Sequence, residues 1–307
     1  MSPRREAPLV PDAQPRTYYD EPVLKEPVWN WEIPAYFFTG GLAAGTTLVA
    51  AAADLTGDET LAARMEQAAL AATGISGALL VADLGQPRRF HHMLRVLKPS
   101  SPMNLGAWLL GVFAGGVATA VVTERVARVP GVVRLFRLGT ATLAPLLATY
   151  TAVLVSDTAV PAWHDARREL PFVFAGGAAA SGAGLGLVLS ANGSEPALRI
   201  LLAGGSAMEL TATRVMERNL DRSVVGRAFH ESRVRMLGRF ATVATAAGTA
   251  LVLSARGHRR VAVAGALSVL AGALAERFAV VAAGRASARD PHAVVDPQRG
   301  APAPTAR

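Results

Sequence analysis

The sequence predicts an all-α polytopic membrane bundle of about eight transmembrane helices. Three observations carry that expectation. Hydrophobic residues make up 51% of the 307 positions and charged residues only 18%, against about 25% charged in an ordinary soluble protein. The charges gather at the two ends and in short patches, leaving long runs of Ala, Leu, Val and Gly between them. Trp29 and Trp31 stand immediately before the first such run, the place aromatic residues take at the edge of a bilayer.

Residues 1–32 read as a polar N-terminal arm. Its prolines make it irregular, and Arg4 and Arg5 are followed by no apolar core of the kind a signal peptide needs. The transmembrane bundle is expected over 33–283. A spanning helix needs about 20 apolar residues, and runs of that order fall at 33–53, 68–84, 105–123, 138–155, 171–190, 197–215, 236–255 and 261–283. Closely spaced glycines, such as Gly40, Gly41 and Gly45, mark faces where helix backbones can approach. In the fourth run Pro145 frees a backbone carbonyl that neighbouring Ser or Thr groups, or a ligand, can satisfy. The arginine-rich stretch 216–235 reads as a surface helix, and 284–307 as a disordered Ala/Pro/Arg-rich tail.

Composition also excludes. With no cysteine, the chain holds no iron–sulfur cluster and no Cys-ligated metal. None of its six histidines lies mid-span, so haem between helices is not expected. The net charge of +8 is scattered over loops without interleaved aromatics, which argues for lipid headgroups and an acidic partner surface and against nucleic acid. Gly182, Gly184 and Gly186 follow no strand and fit no dinucleotide fingerprint. An even number of spans puts both termini on one side. Most Lys and Arg outside the spans fall on that side, which places both termini in the cytoplasm of a multi-pass cell-membrane protein.

The most informative stretch joins the second and third runs. It opens Asp83-Leu84-Gly85-Gln86-Pro87, continues through Arg88, Arg89, His91, His92, Arg95 and Lys98, and is stopped by Pro99 and Pro102. On the plain view it is a topogenic loop whose arginines only hold orientation. On the other it is a working hinge. Asp83 and Asp157 end spans on the terminal side, where Glu32 and Tyr36 enter and Tyr150 lies two turns inside Asp157. One rim thus gathers Glu32, Tyr36, Asp83, His91, Tyr150 and Asp157. A quinol ring needs hydrogen-bond partners at two oxygens and an acid/base route for its protons, which Tyr and carboxylate side chains near an interface supply. The plainer alternative makes the tyrosines interfacial belt residues and the aspartates helix caps.

Three segments resemble the NrfD-like family, the membrane subunit of polysulfide-reductase-type complexes. They are Trp29-Asn30-Trp31 with Tyr36 to Gly45; Asp83 to Arg88 with Ser101-Pro102-Met103 and Gly106-Ala107-Trp108; and Thr149-Tyr150 to Leu154. The resemblance implies an eight-helix bundle without haem that binds a quinone, menaquinone or ubiquinone, near a docked 4Fe-4S ferredoxin-type subunit. That subunit would in turn join a molybdopterin catalytic subunit. Tyr36 and Tyr150, with Glu32 close by, fall where the family's quinone-contacting residues lie. On the same side, Arg88, Arg89, Arg95, Trp163 and Arg167 are the expected docking residues. The chain would then be an electron-transferring oxidoreductase subunit, with no catalytic residue and no metal of its own. Two other functions stay open: a structural anchor without quinone chemistry, and a proton-translocating module using Asp54, Glu209 and Glu276 as a relay. Ionisable groups at membrane depth are costly enough to suggest some use.

Overall fold

The structure is a computed structural model that describes residues 22–190, 196–255 and 257–298. Among them there is helix and no strand. Eight long helices, α1 (Glu32–Thr56), α2 (Glu59–Asp83), α3 (Pro102–Val122), α4 (Pro130–Ser156), α6 (Leu170–Leu189), α7 (Pro196–Leu220), α8 (Ser232–Ser254) and α9 (Arg259–Arg289), are joined by short pieces. These include α5 (Pro161–Asp165), α10 (Pro291–Gln298), and 3-10 turns over Pro87–Leu94 and Val224–His230.

Local chemistry sets the ends. Gly57 closes α1 at φ +82°, where a side chain would be strained. Asp58 then caps α2 by accepting the Leu61 amide at 2.9 Å. Proline opens α3, α4, α5, α7 and α10, where its missing amide hydrogen is no loss. Thr149 Oγ1 donates to the Pro145 carbonyl at 2.8 Å, the ordinary back-bond of a helical threonine, rather than to the Ala141 carbonyl that the mid-span proline leaves without its amide donor.

The helices run back and forth between two ends. At one end the N-terminal arm meets the end of α9: Arg285 Nε donates to Glu26 Oε1 at 2.6 Å, and Trp29 stacks on Trp163 at 4.9 Å and 19°. At the other end arginines at helix starts donate to the last carbonyls of neighbouring helices. Arg64 reaches Leu189 O at 2.8 Å, Arg259 reaches Val188 O at 3.1 Å, and Arg199 reaches Ala255 O at 3.2 Å. Each satisfies carbonyls that a helix end leaves open and places a cation on the negative end of its dipole.

Among the described residues, seven helices are long and apolar enough to cross a membrane. The eighth leg, α7, has the length but carries Arg199, Glu209, Arg214, Glu217 and Arg218. Large apolar side chains such as Val112, Leu135, Ile200, Phe240, Val243 and Leu267 point outward and are exposed. In water such a surface would be costly; in lipid it is the expected covering. The protein is a multi-pass membrane bundle.

Two apolar clusters fill the interior. The larger, toward the termini, centres on Phe37, Phe113, Trp163 and Phe174. The smaller, at the other end, holds Met65, Leu187, Leu202 and Val269. Between them α1 and α6 cross with their backbones in contact. A Cβ on Gly45 would sit 2.0 Å from Ala178 O, and one on Gly182 would sit 2.3 Å from the Gly45 carbonyl carbon.

Several expected boundaries move. α2 begins at Glu59 and α4 at Pro130, each about two turns before the apolar run, because one charged residue in each of those stretches, Glu66 and Arg137, faces protein instead of water. The expected surface helix over 216–235 is divided: α7 continues to Leu220, and the 3-10 turn that follows buries Val224, Val225 and Gly226. The tail is ordered further than expected, since α9 runs to Arg289 and α10 follows. Its small residues are the reason. Gly284 lies flat against Trp163, where a Cβ would be 1.9 Å from the ring, and the Ala162 amide donates to Ser287 Oγ at 3.2 Å. Residues 299–307 and the first part of the arm, 1–21, lie outside the described residues.

Candidate functional site

The terminal-side ends of α1 to α4 carry the expected rim. Tyr36 on α1 is 3% exposed and belongs to the larger apolar cluster. Tyr150 on α4 is half-buried and packs against that same cluster. Its ring lies across α3 at Gly106, where a Cβ would come within 2.3 Å of it; the glycine of the Gly106-Ala107-Trp108 motif exists to seat this tyrosine. Ser76 Oγ on α2 donates to Thr39 Oγ1 on α1 at 2.8 Å, and Thr39 Oγ1 donates to the Tyr36 carbonyl at 3.3 Å, which fixes the turn that carries Tyr36. Neither phenol makes a hydrogen bond to a described residue. Glu32 Oε2 is buried and also lacks a partner. Asp83 ends α2 within electrostatic reach of Glu32. Glu32 further lines a groove of about 490 Å³ between α1, α8 and α9, with Trp31, Arg233, Leu237, Phe278 and Arg285 on its walls.

Four of the six rim residues are therefore brought to one end of the α1–α4 half: Glu32, Tyr36, Asp83 and Tyr150. Tyr36 is buried and the other three are half-buried, whereas His91 and Asp157 are exposed. His91 lies on the 3-10 turn, edge-on to Phe90 and His92. Asp157 only terminates α4.

The hinge is a built surface. Asn104, the third residue of α3, holds it with three hydrogen bonds: Nδ2 donates to Met93 O at 3.0 Å and to Val96 O at 2.9 Å, and Oδ1 accepts from the Lys98 amide at 2.6 Å. Trp108 Nε1 adds a fourth to Val96 O at 3.4 Å. So pinned, the hinge exposes Arg88, Arg89 and Arg95 beside Phe90, Leu94, Val96 and Leu97. A mixed apolar and arginine-rich surface is what an interface core selects. Arg167 is exposed as well. Trp163, expected at the docking surface, is instead core. It is 2% exposed, donates to Val280 O at 2.7 Å, and stacks on Trp29. An aromatic residue in a polar loop is as suited to covering a helix end as to meeting a partner, and here Gly284 leaves the space it fills.

Beside the rim, Glu26 clasps α9 through Arg285 and through Arg289 Nε at 3.2 Å. The Arg285 hydrogen bond, helped by both arginine charges and by the Arg289 hydrogen bond, holds the Glu26 carboxyl below its ordinary range against the opposing effect of burial. A carboxylate with a depressed folded-state pKa stabilises the fold fully above its unfolded value, about 4.3, and loses that contribution as pH falls further. Protease cleavage within 22–31 should thus stay constant from neutral pH down to about 4.5 and rise below it. In Glu26→Gln it should already be raised at neutral pH and should lack the acid rise, and an unchanged pH profile in that variant would refute the clasp.

Two buried charge clusters were not anticipated as clusters. On the far end, Arg137 is 3% exposed and binds Asp54 at 2.6 Å, Glu66 at 2.6 Å and Glu124 at 3.3 Å, while Arg134 reaches Asp54 at 3.2 Å. The spans expected to start at 68 and 138 left Glu66 and Arg137 just outside, as loop charges. This cluster also corrects the relay of Asp54, Glu209 and Glu276, since Asp54 belongs here with Arg137. The other cluster joins α6, α7 and α9. Arg277 lies 3.8 Å over the Phe174 ring and donates to Phe174 O at 3.0 Å. A Cβ on Gly177 would be 2.7 Å from both Arg277 Nη2 and Glu209 Oε1. Arg277, rather than Arg214, is the cation facing Glu209; Arg214 pairs with Glu217 at 3.8 Å.

Compared with known proteins, residues 21–288 match the family model described as "Polysulphide reductase, NrfD". A search of the curated proteins finds no match.

Proposed function

The chain belongs to the NrfD polysulphide reductase family, and from that premise we propose that it is the quinone-reactive membrane subunit of an oxidoreductase complex. In this role it passes electrons between the cell-membrane quinone pool and a separate 4Fe-4S subunit joined to a molybdopterin subunit, and it has no independent catalysis. Both termini are cytoplasmic, as the basic loops on their side direct.

One observation carries the reading: Tyr36 belongs to the larger apolar cluster and Tyr150 packs against it, their phenols make no hydrogen bond to a described residue, and the buried Glu32 Oε2 has no partner among the described residues. A buried polar atom in a native protein is almost always hydrogen-bonded, and a quinol hydroxyl supplies the partner that Glu32 Oε2 lacks, with the two phenols free to donate to the same ring. A quinone, when bound, accepts or yields two electrons together with two protons. Tyr36 and Tyr150 donate hydrogen bonds and orient the headgroup. A phenol holds its proton at neutral pH, so proton exchange falls to Glu32 and Asp83, which stand nearer the aqueous end. Gly106 keeps Tyr150 in place, and the apolar cluster excludes water. The hinge, held by Asn104, offers Arg88, Arg89 and Arg95 to the partner subunit on the same end.

The test is titration of the purified complex with a menaquinone or ubiquinone analogue. Tyr36→Phe and Tyr150→Phe should each weaken binding roughly two- to tenfold, the value of one net hydrogen bond. Binding untouched by both substitutions would overturn the proposal, and so would no binding at all, the outcome for a purely structural anchor.

A further inference from the structure

A second polar site lies in the other half of the bundle, away from the tyrosine rim. A pocket of about 490 Å³ opens between α7, α8 and α9. Its mouth carries Asp221, Arg235 and His230, the last 3.3 Å from Asp221. Arg214 and Glu217 of α7 and Arg239 of α8 line it as well. The lining also includes Thr213, Thr242 and Glu276, and Glu276 is only 5% exposed.

Beyond Glu276 the polar groups continue. Thr213 is one helical turn from Glu209, and residues four apart share a helix face. Glu209 and Arg277 are each 2% exposed. Both carboxylate oxygens of Glu209, together with Arg277 Nε and Nη1, are buried without a hydrogen-bond partner among the described residues. One more turn along α7, Ser206 Oγ is likewise buried and unpartnered. Such a concentration of unsatisfied charge is expensive in a dry interior, and ordered water is the usual remedy. The balance of charge is also uneven. Two carboxyl groups, Glu209 and Glu276, face one guanidinium, so one of them has no counter-ion, and an isolated buried carboxylate is best relieved by a proton.

We infer that α7, α8 and α9 form a water-filled proton well that is entered from the terminal end of the bundle and closed at its inner end by Glu209. A hydronium ion at the mouth gives its proton to the Glu276 carboxylate and leaves as water. The proton then moves to a Glu209 oxygen, restoring the Glu276 carboxylate beside Arg277. Return of the proton to water reverses both steps, and no electron is exchanged. His230, Asp221, Glu217 and the three arginines of the outer wall govern the potential at the mouth. The well is independent of the quinone reading, because none of its residues belongs to the tyrosine rim.

Infrared spectroscopy of the purified protein at neutral pH tests this. A protonated carboxyl C=O band should be present, should be lost in Glu209→Gln or Glu276→Gln, and should shift promptly on transfer to D₂O. Absence of the band, or a band that resists D₂O, overturns the well. Access is tested without touching the carboxylates, since the chain contains no cysteine of its own. Thr213→Cys and Thr242→Cys in membrane vesicles should react with a charged methanethiosulfonate from the same side as Ser100→Cys in the hinge. Failure of both to react, or reaction from the opposite side, overturns it as well.

Discussion

Arg137→Leu is expected to cost about 3–5 kcal/mol of stability, the usual penalty for removing one partner from a buried ion pair. The guanidinium holds carboxylates from α1, α2 and the π-helical turn Thr123–Ala127 that follows α3, while its own backbone belongs to α4. Four helices therefore lose their common tie at once. The larger part of the penalty comes from Glu66, which is 2% exposed and would be left with no cation at hydrogen-bond distance among the described residues. The double variant Arg137→Leu/Glu66→Leu tests that attribution, since replacing a buried pair by apolar residues of similar volume is often nearly neutral. Unfolding of the purified protein in detergent should show the double variant more stable than the single one. A single variant that unfolds like the parent would mean that the cluster is a passive surface feature.

Gly182→Ala should also be severely destabilising, although it adds one methyl group. The new Cβ would fall 2.3 Å from the Gly45 carbonyl carbon and 2.5 Å from its oxygen. Because both atoms are backbone, no rotamer change relieves the contact, and α1 must move off α6. Overpacking of a rigid core typically costs about 1–3 kcal/mol, and a backbone clash belongs at or above the upper end of that range. Gly111→Ala on α3 is the matched control, for nothing lies within 4 Å of its added Cβ. Loss of the monodisperse peak on size-exclusion chromatography should follow the first substitution and not the second. Equal behaviour of the two would remove the claim that α1 and α6 touch through their backbones.

The two predictions differ in how far the sequence announces them. Gly45 and its neighbours were legible as a packing face, because small residues clustered in an apolar run let another helix backbone come close. Their partner was not, since nothing in the run at 171–190 distinguishes Gly182 from Gly177 or Gly186. Arg137 was harder still. A hydropathy pattern ends a span where charge begins, so a charge that faces protein two turns inside a helix is assigned to the loop. The same trimming hid Glu66. The rim was partly legible: the resemblance pointed to Tyr36, Tyr150 and Glu32, and the structure brings these to one end with Asp83. It failed for His91 and Asp157, whose chemistry suits a site but whose positions on a turn and a helix cap leave them in solvent. Trp163 failed in the opposite direction, because an aromatic side chain's destination depends on whether a neighbour such as Gly284 makes room.

Composition and the spacing of apolar runs were enough to establish a helical membrane bundle and its approximate leg count, since a bilayer imposes length and polarity on every segment one at a time, while the family was legible only in the resemblance of three short motifs. Which carboxylate meets which guanidinium, and which ring lies on which glycine, depended on helix rotations and crossings. Those are chosen by all eight helices together, through contacts between residues up to 259 positions apart, and no local pattern contains them.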